Sequence, residues 1–170
     1  MIADTVCNTY IELGVNAFRQ GFPEVADKML QAALEEAQRL SSKDAPPGAV
    51  FHKLAHLYYQ HRDYNKAESV YQQAVVLYER LFDANDANLS NVILNLAELY
   101  FAQGKYEQAA PLYERAVAID EKRLGKNHGQ LERRLLKLAF VYCTQERFPD
   151  ADKLYKRVKT IRDSRMLTVA

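Results

Sequence analysis

Several features that define other classes of protein are missing from this chain of 170 residues. Its six glycines and five prolines are too few for the many turns of a β sandwich or barrel. Cys7 and Cys143 alone cannot form a disulfide framework, so we interpret both as thiols in a reducing compartment. No run approaches the ~18 apolar residues of a membrane helix, and the N-terminus lacks the basic and apolar stretches of a signal peptide. We therefore expect a cytoplasmic protein without a membrane partner.

The composition is that of an ordinary globular protein, with 48% hydrophobic and 26% charged residues. The length suffices for one compact domain, which we predict to cover residues 1–170. The formal net charge is only +1, but residues 121–170 carry 13 Lys or Arg against 6 Asp or Glu. This basic surplus is either a solvated face or a site for an acidic partner. No nucleic-acid-binding motif accompanies it, so we expect no nucleic-acid partner.

An internal repeat of 42 residues is the strongest signal in the sequence. The pattern Leu-Ala-x-x-Tyr begins at Leu54, Leu96 and Leu138, and a weaker first copy begins 41 residues earlier, at Leu13. Downstream of this pattern an aromatic residue, an alanine and a tyrosine keep the same register: Tyr64, Tyr106 and Phe148; Ala67, Ala109 and Ala151; Tyr71, Tyr113 and Tyr155. The sequence therefore predicts four repeats, at approximately residues 7–47, 48–89, 90–131 and 132–165.

Each repeat is predicted to contain two amphipathic helices joined by a short polar turn. In the third copy an apolar face follows the i, i+3, i+4, i+7 spacing of a helix, at Ile93, Leu96, Ala97 and Tyr100. Gly104 lies in the turn, where a left-handed residue commonly ends a helix. Asp44, before Pro46, marks the expected start of the second pair. Pro111 is expected to bend the second helix of the third pair.

Small residues recur where the two helices of a pair must approach each other closely. They occupy equivalent positions in the first helices and in the second helices: Gly14, Ala55, Ala97 and Ala139; Ala26, Ala67, Ala109 and Ala151. A single pair cannot bury its apolar faces, so the pairs must stack on one another. The sequence thus predicts an all-α protein with a curved, repetitive architecture.

These positions resemble the tetratricopeptide repeat (TPR), which the third copy matches at Leu96, Ala97, Tyr100, Gly104, Tyr106, Ala109, Tyr113 and Ala116. The usual period is about 34 residues; the longer period and residues 104–116 are similar to the kinesin light chain type of repeat. The other copies depart from the pattern at Ala17, Arg62, Glu146 and Val158. The resemblance implies a right-handed α-solenoid of four helix–turn–helix repeats and a habit of binding peptides, but no role in transport.

No catalytic motif appears, so we expect neither an enzyme nor a cofactor. The nearest metal signal is His52 and His56, which stand four residues apart on one helix. Lys53 replaces the glutamate of such motifs, and Glu98 would have to supply the third ligand, so we expect no metal and interpret both histidines as surface residues of a binding face. His61 stands near a helix end and belongs to no pattern.

The resemblance implies that the first helices line a concave groove that binds a protein or peptide ligand. Register places these residues in it: Phe18, His52, Lys53, His56, Tyr59, Asn91, Asn95, Glu98, Phe101, Arg133, Lys137 and Phe140. Ile11 is expected beside Phe18 in the same stripe. The aromatic residues suit an apolar anchor, and the lysines, Arg133 and Asn95 suit carboxylates. An acidic ligand with a bulky apolar residue is therefore expected.

Other interpretations of the sequence stay open. One alternative is that the groove residues only face solvent, and another is that a terminal helix folds in and fills the groove. The alternative function is structural self-association through the ends or convex faces of the array, although we expect a monomer rather than a homo-oligomer. The fourth repeat is expected to end the array, because Lys159 stands where Leu34, Val75 and Val117 are apolar.

Overall fold

The computed structural model describes residues 2–42 and 47–167, with side chains for residues 5–42 and 47–164. The described residues form eight helices and no strand: α1 (Ile2–Arg19), α2 (Pro23–Arg39), α3 (Gly48–Gln60), α4 (Tyr64–Leu81), α5 (Ala87–Ala102), α6 (Tyr106–Leu124), α7 (Leu131–Thr144) and α8 (Phe148–Leu167). The predicted all-α class of four helix–turn–helix repeats is confirmed. The helix start predicted at Asp44 and Pro46 lies outside the described residues. None of the described helices is long and apolar enough to cross a membrane.

The turns within the four helix pairs share one backbone geometry. Each contains a single residue in the left-handed conformation, with φ of 80°, 62°, 71° and 58°: Gly21, Arg62, Gly104 and Glu146. The N–H of the following residue donates to a carbonyl five residues back, as from Lys105 to Tyr100 at 2.9 Å. This double hydrogen-bonded helix end, the Schellman motif, forms whether or not the turn has a glycine.

Residues Met1–Phe82 form one compact unit, which contains α1 to α4 and is called unit 1. Its first helix pair is packed so closely that a Cβ atom on Gly14 would lie 2.8 Å from the side chain of Leu30. Ala55 and Ala67, at the equivalent contact of the second pair, are fully buried. Only small residues fit at these positions, because larger ones would force the helices apart.

Residues Asp83–Ala170 form the second compact unit, unit 2, which contains α5 to α8. Pro111 lies inside α6, and the helix continues through it to Leu124. One buried apolar cluster joins α6, α7 and α8 and consists of Val117, Leu131, Leu135, Val158 and Ile161. The stacking of one helix pair on the next therefore supplies the core of this unit.

One pair of equivalent positions lies towards the start of the first helix and the end of the second helix of each repeat. The chemistry of this pair differs from repeat to repeat. In the third repeat Ser90 Oγ donates to Asp120 Oδ2 at 2.9 Å, and both residues are fully buried. In the second repeat a Cβ atom on Gly48 would lie 2.6 Å from the hydroxyl oxygen of Tyr78. The first repeat has two buried small residues and the fourth an ion pair at these positions: Cys7 and Ala37; Glu132 and Arg162.

Candidate functional site

Unit 1 contains five of the predicted groove residues, all on α1 and α3. Phe18 and Tyr59 are half-buried, and the other three are exposed: His52, Lys53 and His56. The Nζ atom of Lys53 donates to Asn8 Oδ1 at 2.9 Å. Lys53 thus already contacts the first helix of the preceding repeat. Ile11, expected in the same stripe, is buried with 6% of its surface exposed, so it belongs to the core of the unit and not to a binding surface.

The two histidines of α3 each have a protein partner at one ring nitrogen. The hydroxyl of Tyr71 lies 2.8 Å from His52 Nδ1, and the amide nitrogen of Gln60 lies 3.0 Å from His56 Nε2. Burial raises the pKa of Tyr71 to about 12, so this phenol stays protonated at neutral pH and can donate to His52. Within the described residues no group of three His, Cys, Asp or Glu side chains is placed to hold a metal ion.

Phe18 contacts a histidine that the sequence pattern did not single out. The rings of Phe18 and His61 stack with centroids 3.9 Å apart and an angle of 14° between their planes. Each residue stands at the C-terminal end of the first helix of its repeat, α1 for Phe18 and α3 for His61. Their contact crosses from one repeat to the next, so the spacing within one repeat could not reveal it.

Unit 2 contains the other seven predicted residues, on α5 and α7, and we call this set the α5–α7 face: Asn91, Asn95, Glu98, Phe101, Arg133, Lys137 and Phe140. An aromatic cluster lies at one end of the face. The Phe101 ring centroid lies 5.4 Å from that of Phe140 and 5.6 Å from that of Tyr106. Phe140 nevertheless keeps 46% of its surface exposed. The face therefore presents an apolar ring that neighbouring rings hold in place.

The charged residues of the α5–α7 face differ in how far they are already neutralised. Lys137 forms an ion pair with Glu98, and its Nζ atom also lies 5.4 Å from the centre of the Phe101 ring. Arg133 is exposed and has no ion-pair partner among the described side chains. Of the two cations on this face, Arg133 can thus receive a ligand carboxylate directly, whereas Lys137 must first give up Glu98.

Arg134, in the first turn of α7, connects the α5–α7 face to the core, and the sequence analysis did not identify it. Arg134 forms an ion pair with the fully buried Asp120 and donates to Asn91 Oδ1 at 3.1 Å. Burial lowers the pKa of the Arg134 guanidinium, because desolvation disfavours its charge. The available signal was register: Arg134 is equivalent to Val50 and Val92, which are both buried.

The hydroxyl of Tyr113 lies behind the face, on α6. Tyr113 is fully buried, and its hydroxyl oxygen has no hydrogen-bond partner in the described part of the chain. Burial raises the pKa of Tyr113, and the negative charge of the nearby Glu98 carboxylate raises it further. The carboxylate is close to the phenol, but the two groups are not in hydrogen-bond geometry. A buried polar group of this kind is energetically unfavourable until a partner reaches it.

Solved structures similar to this chain are repeat proteins of the expected type. BtubC (BKLC) from P. vanneervenii is 25% identical with a TM-score of 0.70, and the match covers 95% of this chain and 65% of BtubC. A putative kinesin light chain repeat protein from Podospora anserina is 23% identical, with a TM-score of 0.68 and coverages of 92% and 75%. This chain spans less than two thirds of the length of BtubC. The comparison with curated proteins gives no match.

The sequence profile of the tetratricopeptide repeat matches residues 5–80, 48–122 and 87–164. The three matches overlap and together extend through both compact units. The resemblance to repeats of the kinesin light chain type is confirmed. This repeat is generally a scaffold for protein–protein interaction without catalytic activity. The chain belongs to the tetratricopeptide repeat family.

Proposed function

We propose that the chain is a non-enzymatic adaptor that binds a peptide segment of another protein on the α5–α7 face. The observation that carries this proposal is the position of Phe140. Phe140 is 46% exposed, and its ring contacts the rings of Phe101 and Tyr106. Exposed aromatic rings in a fixed cluster are the usual anchors of protein contacts.

One stripe of α7 supports a specific ligand chemistry. Arg133, Lys137 and Phe140 stand at positions i, i+4 and i+7, so their side chains leave the helix on the same side. The stripe is roughly 10 Å long at 1.5 Å of helical rise per residue. An extended peptide covers that distance in about three residues. The proposed ligand therefore carries a bulky apolar residue and, about three residues away, an acidic one.

The predicted residues of unit 1 form a separate candidate contact for the same class of ligand. Tyr59 and Tyr64 pair edge to face with ring centroids 5.2 Å apart, and His56, three residues before Tyr59 on α3, is exposed. Cys7 and Cys143 form no disulfide in the described part of the chain, and we propose a reducing compartment such as the cytoplasm. These points extend the proposal, but the α5–α7 face carries it.

The test is to select twelve-residue peptides from a displayed library against the protein and to measure the affinities of the best by fluorescence anisotropy. Arg133→Glu should weaken an acidic, apolar peptide by roughly tenfold or more at low salt, because attraction becomes repulsion. Lys122→Glu, the same charge change at an exposed site of α6, should change the affinity by less than about twofold, since exposed distant charges are screened. Basic peptides whose binding ignores salt would contradict the proposal.

Self-association is the second candidate function, and Leu13 is the observation that favours it. Leu13 is 48% exposed, whereas the equivalent Leu54, Leu96 and Leu138 are at most 5% exposed. The first repeat thus presents an apolar residue that the other repeats bury, and a second copy of the chain could cover it. Sedimentation over a wide concentration range decides between the candidates. A species that dissociates on dilution and disappears in Leu13→Gln would favour self-association, and a monomer throughout would exclude it.

A further inference from the structure

We infer that Glu98 is a built-in competitor for the carboxylate of the ligand. In the free protein it neutralises Lys137, and when a ligand carboxylate takes Lys137, Glu98 turns to the hydroxyl of Tyr113. This inference rests on the proposed binding of acidic peptides to the α5–α7 face. It adds to that proposal a rule for selectivity: an acid displaces Glu98, and a neutral amide does not.

The first observation is the Glu98–Lys137 ion pair at the centre of the face. The side chains are 31% and 25% exposed, so solvent and ligands can reach both. Lys137 also lies over the ring of Phe101, next to the anchor position at Phe140. An acidic group placed beside that anchor must therefore meet the negative charge of Glu98 before it meets an available ammonium group.

The second observation is the buried hydroxyl of Tyr113. It has no hydrogen-bond partner among the described residues, although the Glu98 carboxylate is near enough to raise the pKa of the phenol. The Tyr113 and Phe101 rings meet edge to face with centroids 6.3 Å apart, so the phenol stands directly behind the face. A hydroxyl that stays protonated and lacks an acceptor is a ready donor for a displaced carboxylate.

Together these observations describe an exchange of partners. The side chain of Glu98 has three rotatable bonds, so a change of rotamer can move its carboxylate from Lys137 towards Tyr113 without a shift of the helix. The charge-assisted hydrogen bond to Tyr113 then offsets part of the lost ion pair. A neutral ligand amide cannot replace the negative charge that Glu98 places beside Lys137, so Glu98 stays in place and no exchange occurs.

The direct test is Glu98→Gln, assayed with one acidic peptide from the library and with its copy in which every Asp and Glu is Asn or Gln. The variant should bind the acidic peptide about three- to tenfold more tightly at low salt, since a partly exposed ion pair no longer competes. Binding of the neutral copy should stay within about twofold of the wild type. Glu107→Gln, an exposed site on α6, is the matched control and should change neither affinity.

Tyr113→Phe tests the second half of the exchange. It should weaken the acidic peptide in the wild-type background and have no effect in the Glu98→Gln background, where nothing needs the hydroxyl. Equal weakening in both backgrounds would overturn the exchange and leave Tyr113 a packing role. Equal affinity of the wild type and Glu98→Gln would overturn the inference while the proposed function stands. If neither protein binds any library peptide, the proposed function fails and the inference fails with it.

Discussion

At the scale of single residues, Arg62 and Glu146 hold backbone conformations that glycine holds at the equivalent turns. Their φ angles are 62° and 58°, in the left-handed region that L side chains disfavour. No hydrogen bond or ion pair of the Arg62 side chain is present in the described part of the chain to offset this strain. The Schellman hydrogen bonds, such as Asp63 N–H to Tyr58 O at 2.9 Å, force the conformation.

Arg62→Gly should therefore stabilise the protein. Replacing the arginine by glycine removes about 1–2 kcal/mol of strain in the left-handed conformation. The extra freedom of glycine in the unfolded chain lowers the free energy of unfolding by about 0.5–1 kcal/mol. The expected gain is about 0.5–1 kcal/mol in urea unfolding. Gly104→Ala is the reverse control; it should cost about 1 kcal/mol, since no atom lies within 4 Å of the added Cβ and only backbone strain acts. A loss of stability in Arg62→Gly would show that the left-handed conformation does not strain the arginine.

The repeat register predicts where the charged residues of α7 stand, but not which partners they contact. Register placed Arg133 and Lys137 on one side of α7, and the structure has Arg133 exposed there. The partners of the charged groups were not predictable. Glu98 of the third repeat pairs with Lys137 of the fourth, and this contact depends on the rotamers of both side chains. Arg134 was overlooked although it aligns with buried valines. Its burial follows from the helical period, but its partner Asp120 does not.

At the scale of elements, equivalent positions of the repeats make contacts that differ in burial, and the difference decides how much each contact contributes to stability. Asp120 is fully buried and holds Arg134, whose side chain is only 15% exposed. Arg162 stands at the position equivalent to Asp120 in the fourth repeat, but its ion pair with Glu132 is at the surface, with side chains 53% and 21% exposed. Buried pairs and surface pairs differ strongly in the cost of losing one partner.

Asp120→Asn should accordingly destabilise the protein by about 3 kcal/mol, because a buried guanidinium loses its counter-charge. Arg162→Gln, at the equivalent position, should cost less than about 1 kcal/mol. The check is urea unfolding followed by circular dichroism. Adding Arg134→Leu to Asp120→Asn should recover most of the loss, because the uncompensated charge is then gone. An equal cost for the two single variants would show that burial does not separate the two contacts.

The helices themselves were predictable because small residues, tyrosines and turns recur at one period. The aligned aromatic residues Tyr106 and Phe148 follow the predicted turns of the third and fourth repeats, and α6 and α8 begin at these two residues. The bounds of the four repeats stay a prediction. The turns without glycine kept the same geometry, since the hydrogen bonds of the helix end, and not the residue type, determine it.

At the scale of the whole molecule, two compact units are built from the same repeat, and their first helices carry different chemistry. In unit 1 the predicted residues are held by contacts such as His52 with Tyr71 and Lys53 with Asn8. In unit 2 they include an exposed ring, an exposed guanidinium and a partly exposed ion pair. The family and the fold follow from the repeat, whereas the proposed choice of ligand rests on these few side chains.

Peptide binding on the α5–α7 face can be tested by mapping the amide chemical shifts of the labelled protein during titration with an acidic, apolar peptide from the library. The largest changes are expected on α5 and α7, around Phe101, Arg133 and Phe140, and Arg133→Glu should strongly reduce them at the same peptide concentration. Lys122→Glu should leave the map unchanged. Changes confined to α6 and α8, or a map that Arg133→Glu does not alter, would contradict peptide binding on the α5–α7 face.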